Sequence, residues 1–375
     1  MSGAFQRATA WVNTAALAAN CRRLGAELGE ETVLCAVVKA NGYGHGIVEA
    51  ARAAVEGGAE MLAVAAASEA FEVRGALAAA PILTMGALTD PELDVALGAR
   101  SEVAVWREGF LELVAERGAG LGMRPRVHVK YDTGMGRLGE REPANVERLL
   151  ERAATDARIE LAGLWTHFAT ADDRGSAFFD EQLARFSALA DRARERYGPD
   201  LVLHAANSAA TLRDPAAHFD MVRCGVAIYG LDPFGASAAD AGLEPVMGLS
   251  SYVADVKRFA AGDSAGYGRT WRAERDTFVG VVPIGYGDGV RRNLSNRFEV
   301  LIAGERYPAV GTISMDNLTV DLGPEPGVTP GEEVVLLGSS GEERITAEEW
   351  AETLGTINYE ITCGISPRVP RIGRR

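Results

Sequence analysis

Close cysteine pairs, an excess of basic residues and any long unbroken apolar run are missing from this 375-residue chain. Its four cysteines, Cys21, Cys35, Cys224 and Cys363, are scattered, with neither the spacing of a zinc site nor the density of a disulfide scaffold. Reduced, packing cysteines and no metal centre are expected. With 38 Lys and Arg against 52 Asp and Glu, the formal net charge is −14. That excludes a general affinity for nucleic acid or for an anionic membrane, since both require a basic face. No window reaches the length of a membrane span, and MSGAFQRATAW carries no apolar h-region behind a basic start, so the expected compartment is the cytoplasm. What is present is an ordinary globular composition, 47% hydrophobic and 24% charged, long enough for one large domain and a smaller one. The expected partners are small molecules or protein.

Short runs rich in Val, Leu, Ile and Ala recur at 34–40, 61–67, 80–86, 101–106, 126–132, 161–169, 201–207 and 221–226, eight in all. Segments of helical spacing separate most of them, among them IVEAARAAVEGGAE and AFFDEQLARFSALADRARERYG. This α/β pattern predicts an N-terminal (β/α)8 barrel of the TIM type rather than an open doubly wound sheet, closing near residue 230. After GLDPFGASAADAGLEP the texture changes to strands and tight turns, as in TFVGVVPIGYGDG, FEVLIAGERYPAVG and EEVVLLGSSGE. The expected division is 1–244 for the barrel and 245–375 for a mainly β domain. One helix, ITAEEWAETLG, interrupts that domain, with Thr346 as N-cap and Glu349 three residues on.

Barrel enzymes place their chemistry at the C-terminal ends of the strands, and polar residues collect where these runs end. The stretch VLCAVVKANGYGHG delivers Lys39 to the end of the first run and Tyr43 to the glycine-rich loop behind it. The fifth run ends in Lys130, Asp132 and, beyond DTGMG, Arg137; the sixth ends in His167 and Asp172. The seventh carries His204, Asn207 and Ser208, and the eighth carries Arg223 before Gly225. Singly, each reads as a strand-end polar group; together on one rim they read as a site. The loops after strands seven and eight are the usual phosphate position of this fold, and here they offer Ser208 and the N–H groups of Gly225 and Val226. A lysine across the rim can form a Schiff base with an aldehyde, which is what pyridoxal phosphate requires.

The motifs AVVKANGYGHG, KYDTGMGRLG, GLWTHFATAD, HAANSAAT, VRCGVAIYG, SAGYGRTW, PIGYGDG, VGTISMDN and INYEITCGISPRVPR occur in this order. In that order they resemble the successive motifs of bacterial alanine racemase, a barrel-fold pyridoxal-phosphate enzyme that interconverts L- and D-alanine, over almost the whole chain. The resemblance implies Lys39 as the lysine bound to the cofactor and Tyr43, Ser208, Tyr359 and the backbone of Gly225 and Val226 as its phosphate contacts. It implies Arg223 at the pyridine nitrogen, His204 orienting Arg223, and Arg137 at the phenolic oxygen. Lys130, often carbamylated in relatives, would steady Arg137; a plain ion pair with Asp132 is the alternative. Tyr267 would be the second catalytic base with His167 beside it, and Met315 and Asp316 would close around the substrate carboxylate. Asp172, Tyr286 and Arg292 would line the entrance, and a head-to-tail homodimer would share each active site between subunits. Many relatives have arginine where this chain has Thr312, a departure that touches the entrance rather than the chemistry.

The assignments also make chemical sense by themselves. Racemisation removes a proton from one face of a planar carbanion and returns one to the other, so two acid/base groups must stand on opposite sides. Lysine and tyrosine side chains, with reference values of about 10, need nearby cations or burial to act as bases near neutrality. A guanidinium at the pyridine nitrogen can only donate, which leaves that nitrogen unprotonated and weakens the ring as an electron sink, limiting transamination. Two rivals fit less well. A non-catalytic pyridoxal-phosphate carrier would have no use for Tyr267 or the second domain, and a barrel-fold amino-acid decarboxylase usually sets an acidic residue where Arg223 stands.

Overall fold

The computed structural model describes residues 6–325 and 327–374, and the chain divides into two compact units. One runs from Leu17 to Ile228; the other joins the residues up to Ala16 to those from Tyr229 onward. The second unit thus begins before the barrel does. Its first strand, β1 (Thr9–Asn13), alternates buried Ala10 and Val12 with half-buried Trp11 and Asn13. It is therefore outside the expected division at 244/245.

The first unit carries eight strands: β2 (Val33–Val37), β3 (Met61–Val64), β4 (Ile82–Thr84), β5 (Glu102–Val105), β6 (Arg126–Lys130), β7 (Glu160–Trp165), β8 (Val202–His204) and β9 (Met221–Cys224). All neighbours pair in parallel, in the order β8-β7-β6-β5-β4-β3-β2-β9. The ring closes through a parallel bridge between Asn207 and Arg223, with Arg223 N–H donating to Ala206 O at 2.9 Å. The eight apolar runs are these eight strands, buried on both faces as a helix-jacketed parallel sheet requires. The barrel interior is uneven. On the β2–β4 side it is packed with Cys35, Val37, Met61, Ala63 and Leu83. On the β6–β9 side, buried His128, Lys130, His204 and Arg223 replace the apolar filling.

The second unit is a large sheet in the order β11-β14-β17-β16-β15-β18-β10-β1-β20, with β19 on β18 and a separate ribbon of β12 and β13. Its strands are β10 (Met247–Tyr252), β11 (Asp255–Phe259), β12 (Ser264–Ala265), β13 (Trp271–Arg272), β14 (Thr277–Val282), β15 (Glu299–Ile302), β16 (Glu305–Val310), β17 (Leu318–Gly323), β18 (Glu333–Ser340), β19 (Glu343–Ile345) and β20 (Arg371–Arg374). β1 lies between β10 and β20, antiparallel to one and parallel to the other, so its backbone groups are satisfied there. The helix Ala347–Leu354 opens on the expected cap, with Glu349 N–H donating to Thr346 Oγ1 at 3.2 Å and Thr346 N–H to Glu349 Oε1 at 3.1 Å. Among the described residues no helix is long and apolar enough to cross a membrane, and no group of three or more His, Cys, Asp or Glu is placed to hold a metal ion.

Candidate active site

Lys39 stands two residues past the end of β2, and the chain behind it turns the wrong way for L-residues. Ala40, Asn41, Gly42, Tyr43 and Gly44 have φ of 53°, 54°, 62°, 50° and 85°, one left-handed turn. Such backbone costs about 1–2 kcal/mol per residue bearing a Cβ and persists only where surroundings enforce it. Here Glu69 enforces it: Oε1 accepts from Ala40 N–H at 2.6 Å while Oε2 accepts from Ala65 and Ala66 N–H at 2.9 and 3.1 Å. Asn41 closes the far side, its Oδ1 accepting from Ile47 N–H at 3.0 Å. A Cβ at Gly42 would stand 2.9 Å from that of Ala50, which is why the turn needs glycine there. The turn leaves Lys39 half-buried and swings Tyr43 towards β9, where a Cβ on Gly225 would collide with the Tyr43 hydroxyl.

The same glycine meets Ser208, the first residue of the helix Ser208–Arg213 and 3% exposed. Its Oγ accepts from Gly225 N–H at 2.9 Å and Ala227 N–H at 3.3 Å, which leaves its own proton to donate. The Gly225 N–H, expected to face a phosphate, is thus engaged by Ser208. Val226 opens a 3-10 turn over Val226–Tyr229, so its N–H has no carbonyl within the turn.

Arg223, 3% exposed, is held from three sides. Its Nη2 donates to Thr166 O at 2.8 Å and Ala205 O at 2.9 Å, with His167 Nδ1 at 3.4 Å, and its Nη1 donates to His204 Nδ1 at 3.0 Å. The Nε–H and the second Nη1–H keep no protein acceptor among the described residues. Burial lowers the guanidinium only to about 10, so it stays charged at neutrality. Burial, and then the Arg223 charge, hold His167 and His204 well below the ordinary histidine value, as neutral rings.

Lys130 ends β6 at 3% exposure, its Nζ 4.0 Å from the centre of the Trp165 ring. Burial, reinforced by Arg223, Arg137 and Lys39 against a weaker pull from Asp132, lowers its amine to about 7. No ion pair joins Lys130 to Asp132; that carboxylate accepts instead from the N–H groups of Gly134 and Gly136 at 3.0 Å and shapes the DTGMG loop. Arg137 stands exposed beyond the loop without a hydrogen bond or ion pair among the described residues, and Asp172 is exposed after β7.

The other expected site residues belong to the second unit. Tyr267, 71% exposed, projects from a one-turn loop after β12. Thr312 lies beneath that loop: it bridges Gly266, and its hydroxyl is 3.1 Å from that of Thr270. Tyr267, Thr312, Ser314 and Asn317 border a cavity of about 360 Å³. Met315 and Asp316 form a loop zipped to the Tyr286 turn, since Tyr286 N–H donates to Ser314 O and Gly287 N–H to Met315 O at 3.0 and 2.9 Å. Asp316 Oδ1 accepts from Arg368 at 2.6 Å, which holds its carboxyl below the usual range. Arg292 is exposed in a 3-10 turn, and Tyr359 is half-buried in the helix Asn358–Cys363.

Sequence reading missed Glu69, Glu102, His128 and Trp165. His128 was within reach of it, because two-residue alternation in RVHVK puts His128 and Lys130 on one face of β6. Glu102 and Trp165 carry no comparable signal.

A parallel eight-stranded barrel whose strand ends gather a lysine, a buried guanidinium with N–H donors to spare and a buried serine hydroxyl has the polar rim of a (β/α)8-barrel enzyme. The comparisons make this specific. Residues 12–233 match the family model "Alanine racemase, N-terminal domain" and residues 246–373 match "Alanine racemase, C-terminal domain". Alanine racemase of Symbiobacterium thermophilum is 43% identical over 361 residues, covering 96% of this chain and 95% of that one. That of a Nostoc species is 39% identical over 379 residues, covering 98% and 96%. Among solved structures, alanine racemase from Streptomyces lavendulae superposes with a TM-score of 0.93 at 37% identity, covering 99% of this chain and 98% of that one. The Bacillus anthracis alanine racemase with bound L-Ala-P gives 0.90 at 36% identity, covering 99% and 96%. The chain belongs to the alanine racemase family.

Proposed function

We propose that this protein is a pyridoxal-phosphate-dependent isomerase that interconverts L- and D-alanine and supplies D-alanine for peptidoglycan. The observation that carries this reading is Arg223: a buried, charged, donor-only group with unengaged N–H donors, in a barrel whose Lys130 and His167 also feel the charge of Lys39. Such a group suits an unprotonated pyridine nitrogen, and the Ser208 hydroxyl, the Tyr43 hydroxyl and the Val226 N–H suit a phosphate. When bound, the cofactor supplies electron withdrawal that acidifies the α-proton of the amino acid. Lys39 Nζ removes or returns that proton on one face, and Tyr267 Oη does so on the other. Arg137 binds the phenolic oxygen and Lys130, as a carbamate, steadies Arg137; Tyr359 adds to the phosphate contacts. Met315 and Asp316 bound the substrate carboxylate, with Asp172, Tyr286 and Arg292 along the entrance. A homodimer sharing its active sites and a cytoplasmic location belong to the same reading.

The test is incubation of the purified protein with L-alanine. D-alanine should accumulate to an equal mixture without release of carbon dioxide. Carbon dioxide without D-alanine would instead identify a decarboxylase, and neither product would leave a cofactor carrier.

A further inference from the structure

Glu102 opens β5 with both carboxylate oxygens engaged. Oε1 accepts from Arg126 Nε at 2.8 Å and Oε2 from His128 Nε2 at 2.6 Å. The hydrogen bonds then continue inward, His128 Nδ1 standing 2.9 Å from His204 Nε2 and His204 Nδ1 3.0 Å from Arg223 Nη1. His128 and His204 are 1% and 0% exposed, so no solvent relieves a mismatched donor.

The direction of this chain is forced from both ends. Arg223 can only donate, so His204 must offer a lone pair at Nδ1 and keep its proton on Nε2. That proton goes to His128 Nδ1, so His128 carries its own on Nε2 and needs an acceptor beyond it. A carboxylate accepts at every oxygen and ends the chain correctly while also serving Arg126. A doubly protonated His128 would push the His204 proton onto Nδ1 and set two donors face to face at Arg223.

We propose that Glu102 is the positioning residue for Arg223. Its carboxylate sets the proton polarity of His128 and His204, and through them the aim of the guanidinium donors left for a bound ring. The inference rests on the reading of Arg223 as the partner of the pyridine nitrogen.

Glu102→Gln tests it without changing size. Arg126, an obligate donor that Glu160 also holds in place, takes the carboxamide oxygen, so the NH2 faces His128 Nε2 and reverses the chain. On full-length protein as purified, ¹⁵N NMR of its five histidines should show His128 and His204 leaving the Nε2–H form for the Nδ1–H form. His45, bonded through Nδ1 to the Gly42 and Tyr43 carbonyls, and His218, bonded through Nε2 to Thr211 O, should stay as they are. Pyridoxal phosphate should bind about ten- to a hundredfold more weakly, the consequence of donors left facing one another in a buried site. Arg126 is exposed, and adding Arg126→Met frees the carboxamide to turn its oxygen to His128. The double variant should therefore recover wild-type tautomers and affinity, which loss of a merely structural contact would not do. Unchanged tautomers in folded Glu102→Gln, or no recovery in the double variant, would overturn the proposal. The tautomers need no turnover: if they switch and the wild type fails to racemise alanine, the polarity argument stands and the proposed function falls.

Discussion

Lys130 is a lysine in an arginine's surroundings. The chain holds only three lysines, Lys39, Lys130 and Lys257, and Lys130 is buried with its amine lowered to about 7. At neutral pH much of it is the uncharged nucleophile that adds carbon dioxide, and the resulting carbamate would be an anion within the field of Arg223 and Arg137. With ¹³C-bicarbonate, one carbamate resonance is expected, absent from Lys130→Met. The unmodified amine also makes a stability prediction. Its folded value lies below the unfolded one of about 10.4, so the unfolded chain binds more protons between the two. The cost of burying the charge is fully present below pH 7, and stability from this group rises with pH from about 7 to about 10.4. Denaturant unfolding at the two ends of that window should show the rise in wild type and less of it in Lys130→Met. Lys39 gives the sharper residue-scale test. Lys39→Ala should lose the visible cofactor band, the borohydride-trapped adduct and racemisation by roughly 10³-fold or more. An adduct retained on Lys130 or Lys257 in that variant would move the cofactor lysine elsewhere.

At the scale of elements, the unusual piece is the left-handed turn that carries Lys39. Three carboxylate hydrogen bonds from Glu69 hold it to the loop after β3, and all three partners are backbone N–H groups. Glu69→Gln would keep the shape but turn an NH2 towards at least one of these donors. A loss of about 1–3 kcal/mol is expected from that mismatch, together with weaker binding of pyridoxal phosphate because Lys39 is displaced. A thermal melt and a cofactor titration check both. A lower melting temperature with unaltered cofactor affinity would show that the turn keeps its aim without Glu69. Glycine-rich composition marks this loop in the sequence, but its handedness follows from Glu69, thirty residues away, and from the crowding of Gly42 against Ala50.

For the whole molecule, the proposed homodimer with shared sites makes a prediction about Tyr267. Tyr267, Met315 and Tyr286 are 71%, 50% and 42% exposed in the single chain, as groups that reach into a partner would be. Co-expression of Lys39→Ala with Tyr267→Phe distinguishes the arrangements. In a two-fold dimer with shared sites, half of randomly paired dimers are mixed and one site of each is intact, so about a quarter of wild-type activity returns. If each chain completes its own site, every site keeps one defect and nothing returns. Mixed dimers recovered by tag pull-down without activity above the parents would refute sharing.

Local pattern was enough for the barrel. Eight apolar runs separated by helical spacing become eight parallel strands because buried strands and amphipathic helices announce themselves within ten or twenty residues. It also put Lys39, Lys130, His204 and Arg223 at the ends of strands, where the structure has them, since a polar side chain at the end of a buried run has few places to go. Tertiary structure decided the rest. Whether β1 belongs to the barrel depends on β10 and β20, more than two hundred residues away. Whether the Gly225 N–H is engaged depends on Ser208, and the polarity behind Arg223 depends on His128, 76 residues before His204, and on Glu102. Hydrogen-bond direction and a shifted pKa are properties of what surrounds a group in space, and sequence order does not carry them.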